Sequence, residues 1–229
     1  MSYPAPPQLA FPEGVVLLGG GPFDPEDLVA ALARAPRLVC ADGGADALGG
    51  LTPDAIVGDM DSVVDAARWR AALGDRFVQV AEQDSTDLEK CLRLTAAPLF
   101  IGVGFAGGRA DHFLAALHAL VGDPRPVILI SADDVIFAAH RPLRLRLAPG
   151  DRVSIFPVAP VRARRGAGLR WPIDGLEMRA GETIGTSNEA ASEIVEAEFD
   201  GAGAVVILPR ARLDNAIEAL RLPSGDAAP

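Results

Sequence analysis

The chain has 229 residues, with 21 Lys and Arg against 31 Asp and Glu, a net charge of −10 and 49% hydrophobic content. That length and apolar content suffice for one large domain or two small ones with proper cores. The acidic balance argues against nucleic acid or an anionic membrane as a partner, because both need a cationic surface, but it allows a phosphorylated ligand bridged to carboxylates by a divalent metal.

The Pro-rich start, "MSYPAPPQLAFPEG", lacks the basic and apolar regions of a signal peptide. No apolar stretch reaches the roughly 18 residues of a membrane span. Residues 1–13 read as a loose tail, and the expected location is cytoplasmic. Cys40 and Cys91 sit in apolar segments at a spacing that fits no zinc pattern, as two reduced core thiols would.

From Gly14 to about Ile130 short apolar runs alternate with stretches of helical spacing. "GVVLLG", "RLVCAD", "DAIVGD", "RFVQVA", "PLFIGVG" and "PVILIS" predict buried strands. "DPEDLVAALARA", "SVVDAARWRAAL", "TDLEKCLRLTAA" and "DHFLAALHALVG" between them predict helices. The alternation implies an α/β domain over 14–132 with a mostly parallel, Rossmann-like sheet. After residue 132 come "VIFAAH", "LRLRLA", "DRVSIFPV", "SEIVEAEF" and "GAVVILP", short segments parted by Gly and Pro, and one late helix in "RLDNAIEALRL". That grammar predicts an all-β sandwich domain over 133–221, with 222–229 as a second flexible tail.

Ligands of open parallel sheets bind beyond the carboxyl ends of the strands, and three predicted strand ends bring carboxylates there. "VCADGGADAL" places Asp42, followed by Gly43 and Gly44. "AIVGDMDS" places Asp59 and Asp61, with Ser62 as the expected N-cap of the next helix. "VAEQDSTDLEK" places Asp84 and Asp87, where Thr86 and Glu89 form a capping box and Asp84 offers an alternative cap. Any one of these acids has a structural explanation; several at one sheet edge, with no His or Cys among them, suit Mg²⁺.

Glycines supply the complementary half of a phosphate site. Gly19, Gly20 and Gly21 follow the first strand without forming a Walker or dinucleotide motif. A second loop, "GVGFAGGRADH", contributes Gly107, Gly108, Arg109, Asp111 and His112. Arg109 either clamps a phosphate or pairs with Asp111. His112, His118 and His140 do not assemble a nucleophilic triad, and His118, on a helix face with Leu114 and Leu117, is expected to be packed. The chemistry these residues favour is magnesium-assisted phosphoryl or pyrophosphoryl transfer, which rests on positioning and charge neutralisation.

"DGGADAL", "PDAIVGDMDS", "QDSTDLEKCL", "GFAGGRADHFLAAL" and "GTSNEA", in that order, resemble the thiamine pyrophosphokinase (thiamine diphosphokinase) family. The resemblance implies an α/β domain followed by a β-sandwich that binds thiamine and dimerises, and a homodimer with active sites between one subunit's α/β domain and the other's β domain. It implies transfer of the terminal pyrophosphate of ATP to the hydroxyethyl group of thiamine, releasing AMP. By the same resemblance Asp59, Asp61 and Asp87 hold Mg²⁺ with Asp42 nearby, and Lys90 joins these acids as catalytic. Gly20, Gly21, Gly43, Gly44, Thr86, Gly108, Arg109, Asp111 and His112 match the ATP and phosphate side, and Gln83, Ser187 and Asn188 the thiamine side.

The chain departs from the family pattern at Met60, where an aromatic is usual between the paired acids, and at Ala116, where an Asn is expected. The stretch "VRARRGAGLRWPIDGL" is unusually basic. Arg162, Arg164 and Arg165 are expected in a solvated loop, and Trp171 in the sandwich core rather than against a thiazolium ring. The competing readings are a pyrophosphokinase acting on a pterin alcohol, a metal-dependent phosphohydrolase and a catalytically silent nucleotide binder.

Overall fold

The computed structural model describes residues 8–82 and 84–221. They fall into two compact units, one running to Ala119 and including Leu129–Ala132, the other made of Leu120–Ile128 and the chain from Asp133. The termini outside 8–221 and Gln83 lie outside the described residues.

The first unit opens with strand β1 (Val15–Leu18), all four of whose residues are buried. Helix α1 (Pro25–Leu32) follows because Asp24 caps it, accepting from the Glu26 N–H, and Pro25 already has helical φ. Strands β2 (Arg37–Ala41) and β3 (Ala55–Gly58), helix α2 (Ala66–Leu73) and strand β4 (Phe77–Gln79) come next. Helix α3 (Asp87–Leu94) and strand β5 (Phe100–Val103) follow, then helix α4 (Ala110–Gly122), which belongs to this unit as far as Ala119, and strand β6 (Val127–Ile130), which belongs to it from Leu129. Strands β5, β1, β2, β3 and β4 lie side by side in that order, all parallel. Strands covered on both faces are continuously apolar, which is why these runs lack alternation.

The register sets up the site. Leu18 lies opposite both Cys40 and Val103, and Ala41 opposite Val57. Those strands therefore end at one level, and their next residues emerge together.

Two local expectations change. Helix α2 starts at Ala66, and its cap is Asp65, whose side chain accepts from the Arg68 N–H. Ser62 instead donates its hydroxyl to Asp61 Oδ1 at 2.9 Å. The expected loose start is ordered from residue 8: Leu9–Ala10 pairs in parallel with Thr95–Ala96, and Glu13 bridges Arg37 at 3.0 Å.

The second unit is antiparallel. Its strands are β7 (Asp134–Ala138), β8 (Leu143–Arg146), β9 (Arg152–Pro157), β10 (Val161–Ala167), β11 (Gly185–Glu189), β12 (Ile194–Phe199) and β13 (Ala204–Pro209), followed by helix α5 (Leu213–Arg221). Strands β7, β13, β9 and β11 pair in one series, and β8, β12 and β10 in another. Period-2 burial marks the second series: Leu143 and Leu145 of β8 face inward, Arg144 and Arg146 outward.

The basic stretch is not a loop. Val161–Ala167 forms β10, burying Val161, Ala163 and Gly166 and turning Arg162, Arg164 and Arg165 to solvent, with Arg165 paired to Glu196. Long charged side chains suit the wet face of a half-buried strand, so high charge alone did not mark a loop. Trp171 is not in a core either: it is 52% exposed.

Candidate active site

Asp42 leaves β2 in the left-handed region, φ 43°, and opens a 3-10 helix over Asp42–Ala47. Its buried carboxylate accepts the Met60 N–H at 2.9 Å, so it braces the loop that carries the other two acids. Met60 is itself left-handed, φ 72°, and buried. Its apolar side chain is buried, and Asp59 and Asp61 flank it in the chain.

Asp42, Asp59 and Asp61 can each bring one carboxylate oxygen to within 4.8 Å of the others. Three hard oxygen donors at that spacing, with no nitrogen or sulfur, fit a magnesium ion that keeps several waters. Burial pushes the Asp42 carboxyl above its ordinary range; the Ser62 hydroxyl counters this, and the charges of Asp87 and Asp59 add to it. A cation among these acids would remove the repulsion that Asp59 and Asp61 otherwise exert on each other.

Helix α3 presents the next pair. Thr86 caps it in a reciprocal box: Thr86 accepts from the Glu89 N–H, and the Glu89 carboxylate from the Thr86 N–H at 2.9 Å. The cap fixes the first turn, so Asp87 and Lys90 project from a rigid element. Lys90 is 2% exposed, and its ammonium lies 3.6 Å from Asp87 Oδ1 and 3.8 Å from Asp59 Oδ2. Burial raises the Asp87 carboxyl, and Lys90 opposes that shift. Asp87 therefore stands on the lysine side of the cluster, and the three-oxygen group holds Asp42 where the resemblance puts Asp87.

Glycines close the opposite wall. A Cβ on Gly44 would lie 2.1 Å from the Leu18 carbonyl oxygen, and one on Gly104, φ 78°, would lie 2.6 Å from the Gly19 oxygen. The loops after β1, β2 and β5 thus meet backbone to backbone, and the Gly21 N–H donates to the Gly104 carbonyl at 3.0 Å. Arg109 and Asp111 form a two-point ion pair, 2.6 Å and 3.2 Å, both well exposed. His118 is exposed rather than packed, because α4 turns Leu117 inward and Leu114 outward with it.

A cleft of 780 Å³ gathers Gly20, Gly21, Asp42, Gly43, Asp59, Asp61, Thr86, Asp87, Lys90, Gly108, Arg109 and His112 in the first unit. Gly44 and Asp111 support its walls without lining it. Asp46, Ser62, Ser85 and Phe105 line it as well, and sequence reasoning gave them no site role. The signal for Asp46 was the DGGAD spacing, one 3-10 helix from Asp42; its carboxylate accepts the Val64 N–H at 3.2 Å. Gln83 lies outside the described residues. Ser187 and Asn188 belong to the second unit, where Ser187 has φ 58° and Asn188 is buried.

Acids and a buried ammonium facing glycine loops at parallel strand ends define an α/β phosphotransfer enzyme. The chain matches the family models "Thiamin pyrophosphokinase, catalytic domain" over residues 29–128 and "Thiamin pyrophosphokinase, vitamin B1 binding domain" over residues 142–202. It belongs to the thiamine pyrophosphokinase family, whose members are kinase-type diphosphotransferases.

Thiamine pyrophosphokinase 1 of Arabidopsis thaliana is 30% identical over 197 residues, 71% of this chain and 74% of the plant protein. The Bacillus subtilis thiamine pyrophosphokinase is 28% identical over 156 residues, 61% of this chain and 71% of that protein. Among solved structures, yeast thiamin pyrophosphokinase superposes with TM-score 0.71 at 15% identity, covering 94% of this chain and 90% of the yeast chain. The crystal structure of the B. subtilis protein gives 0.68 at 22%, covering 86% and 98%. At such identities the structures speak for the fold alone.

Proposed function

We propose that this chain transfers the terminal pyrophosphate of ATP to the hydroxyethyl oxygen of thiamine, giving thiamine diphosphate and AMP. The observation that carries the reading is the convergence of Asp42, Asp59 and Asp61 with buried Lys90 in one cleft with the glycine loops. When bound at the three carboxylates, Mg²⁺ neutralises phosphate charge and polarises the group being transferred.

The chain's own residues account for the remainder. Lys90 supplies a fixed positive charge beside Asp59 and Asp87, available to phosphate oxygens without reorganisation. Gly20, Gly21, Gly43 and Gly108 let a triphosphate approach the backbone, with Gly44 as support. Arg109 releases Asp111 to clamp a phosphate, and Thr86 and His112 border the same path.

The thiamine side of the site is assigned to Ser187 and Asn188 of the second unit, together with Gln83. Trp171 is hydrogen-bonded through its backbone to Asn188 and is exposed, with an indole face suited to a cationic heteroaromatic ring. The order of the parallel strands, and the ligand loops at their carboxyl ends, support a Rossmann-like description of the catalytic domain over 14–132, followed by a sandwich over 133–221. A homodimer and a cytoplasmic location complete the reading. Among the described residues no helix is long and apolar enough to cross a membrane.

The test is product analysis with purified protein, ATP, Mg²⁺ and thiamine. AMP forming in step with thiamine diphosphate is the expected result. AMP formed only with a pterin alcohol moves the acceptor, and thiamine-independent hydrolysis of ATP overturns the reading.

A further inference from the structure

Asn188 is carried over as a residue that touches thiamine, yet its side chain is already engaged. Its Oδ1 accepts two backbone N–H groups, from Trp171 at 3.2 Å and from Glu189 at 2.8 Å. Its Nδ2 donates to the Trp171 carbonyl at 2.7 Å. The residue is only 5% exposed, and both lone pairs of Oδ1 are spoken for. A ligand would have to break these bonds to use that oxygen.

The same bonds fix Trp171. Arg170 donates its N–H to the Glu189 carbonyl at 2.9 Å, and Leu169 bridges Ala190, so 169–171 runs stitched along 188–190. Beyond Trp171 the chain is anchored again, because buried Ile173 fills the space over Gly166, where a Cβ would fall 2.0 Å from Ile173 Cγ1. The backbone of Trp171 is therefore held on both sides while its ring stands 52% exposed, with the Arg170 guanidinium 5.0 Å from the ring centre. Apolar burial cannot explain so firm a mount for an exposed indole. A rigid aromatic presented to solvent is what a planar cationic ligand needs, since little ordering is left to be lost on binding.

Ser187 adds an independent mark. It is a non-glycine residue at φ 58°, and its N–H donates at 2.9 Å to the hydroxyl of Ser154, itself buried. The β9–β11 register shifts at this point, between Val153 and Ile155. The left-handed residue and the register shift, held by the bond to a buried hydroxyl, fix the strand immediately before Asn188.

We propose that Asn188 is a positioning residue: it acts on the acceptor only through Trp171, by holding that ring in place for a cationic heteroaromatic ligand. This rests on the thiamine reading above.

The test uses the full chain with thiamine and ATP. Asn188→Asp keeps the oxygen acceptor and loses the donor to Trp171. It should raise the KM for thiamine about tenfold, the scale of one aromatic–cation contact, with the KM for ATP and kcat unchanged. In a Trp171→Ala background the same change should add nothing. Multiplying effects in the double variant would mean that Asn188 touches the substrate itself, and would overturn the proposal. A Trp69→Phe background leaves Trp171 as the single tryptophan, and its fluorescence anisotropy should fall when Asn188 is changed.

Should Asn188→Asp fail to fold, hydrogen exchange on unaltered protein still decides. The Trp171 amide should be protected, and exchange at an open-chain rate would overturn the clamp. Unaltered protein that makes no thiamine diphosphate would overturn the proposed function, and the clamp's substrate role with it. Normal turnover with an unchanged thiamine KM in Asn188→Asp would overturn that role alone.

Discussion

The Lys90 ammonium lies 3.8 Å from Asp59 Oδ2, nine-tenths or more out of solvent, on the first turns of a capped helix. Burying an ammonium is costly unless carboxylates compensate, and two are present, Asp59 and Asp87 at 3.6 Å. Neither distance is that of a tight ion pair. A cation held loosely between two acids is ready to exchange one of them for an anionic ligand, which is what a phosphate-handling lysine must do.

Lys90→Met should therefore lower kcat by about 100-fold or more, the usual scale for losing one preorganised charge on a transition state. Its thermal unfolding should stay cooperative. Steady-state kinetics beside a melting curve check this, and near-normal turnover would remove Lys90 from the site.

Asp42 and Asp61 should separate by stability. Asp42→Ala leaves the buried Met60 N–H without its acceptor and should cost about 1–3 kcal/mol in urea unfolding. Asp61 is exposed, and its carboxylate accepts from the Ser62 hydroxyl. Asp61→Asn should leave stability unchanged, raise the Mg²⁺ needed for half-maximal activity and abolish turnover at ordinary concentrations. A magnesium titration of activity decides it.

Gly44 and Gly20 make a matched pair. A Cβ at Gly44 would sit 2.1 Å from the Leu18 carbonyl, whereas at Gly20 the nearest atom is 3.7 Å away. Gly44→Ala should destabilise by about 3 kcal/mol, the upper end for overpacking against backbone. Gly20→Ala should leave the melting temperature unchanged and affect only the KM for ATP.

The pH response of stability should show Glu82. The Ser85 hydroxyl, and then the Arg93 guanidinium, hold its carboxyl down to about 2 from 4.5. Because the folded value is depressed, this contribution is complete above about pH 4.5 and disappears as pH falls toward 2. Glu82→Gln should flatten the loss of stability across that window, measured by urea unfolding at successive pH values. An unchanged slope would contradict it.

What was legible in the sequence was local or periodic. Unbroken apolar runs marked the parallel strands because both faces are covered. Thr86 and Glu89 announced their cap because a capping box lies within four residues. The acids showed themselves because register brings successive strand ends to one level. The failures share a cause in tertiary partners. Whether Ser62 or Asp65 caps α2 depends on where the chain turns after Asp61, which no propensity fixes. The Arg162–Arg165 run looks like a loop until β12 beside it supplies Glu196. Trp171 looks like core until Asn188, seventeen residues on, takes hold of its backbone.

The central claim is that two phosphates move together, and the fate of the β-phosphorus tests it most directly. Purified protein is supplied with thiamine, Mg²⁺ and ATP labelled at the β position, and the products are separated. The account predicts label in thiamine diphosphate and unlabelled AMP. Label remaining in ADP, beside thiamine monophosphate, would contradict it.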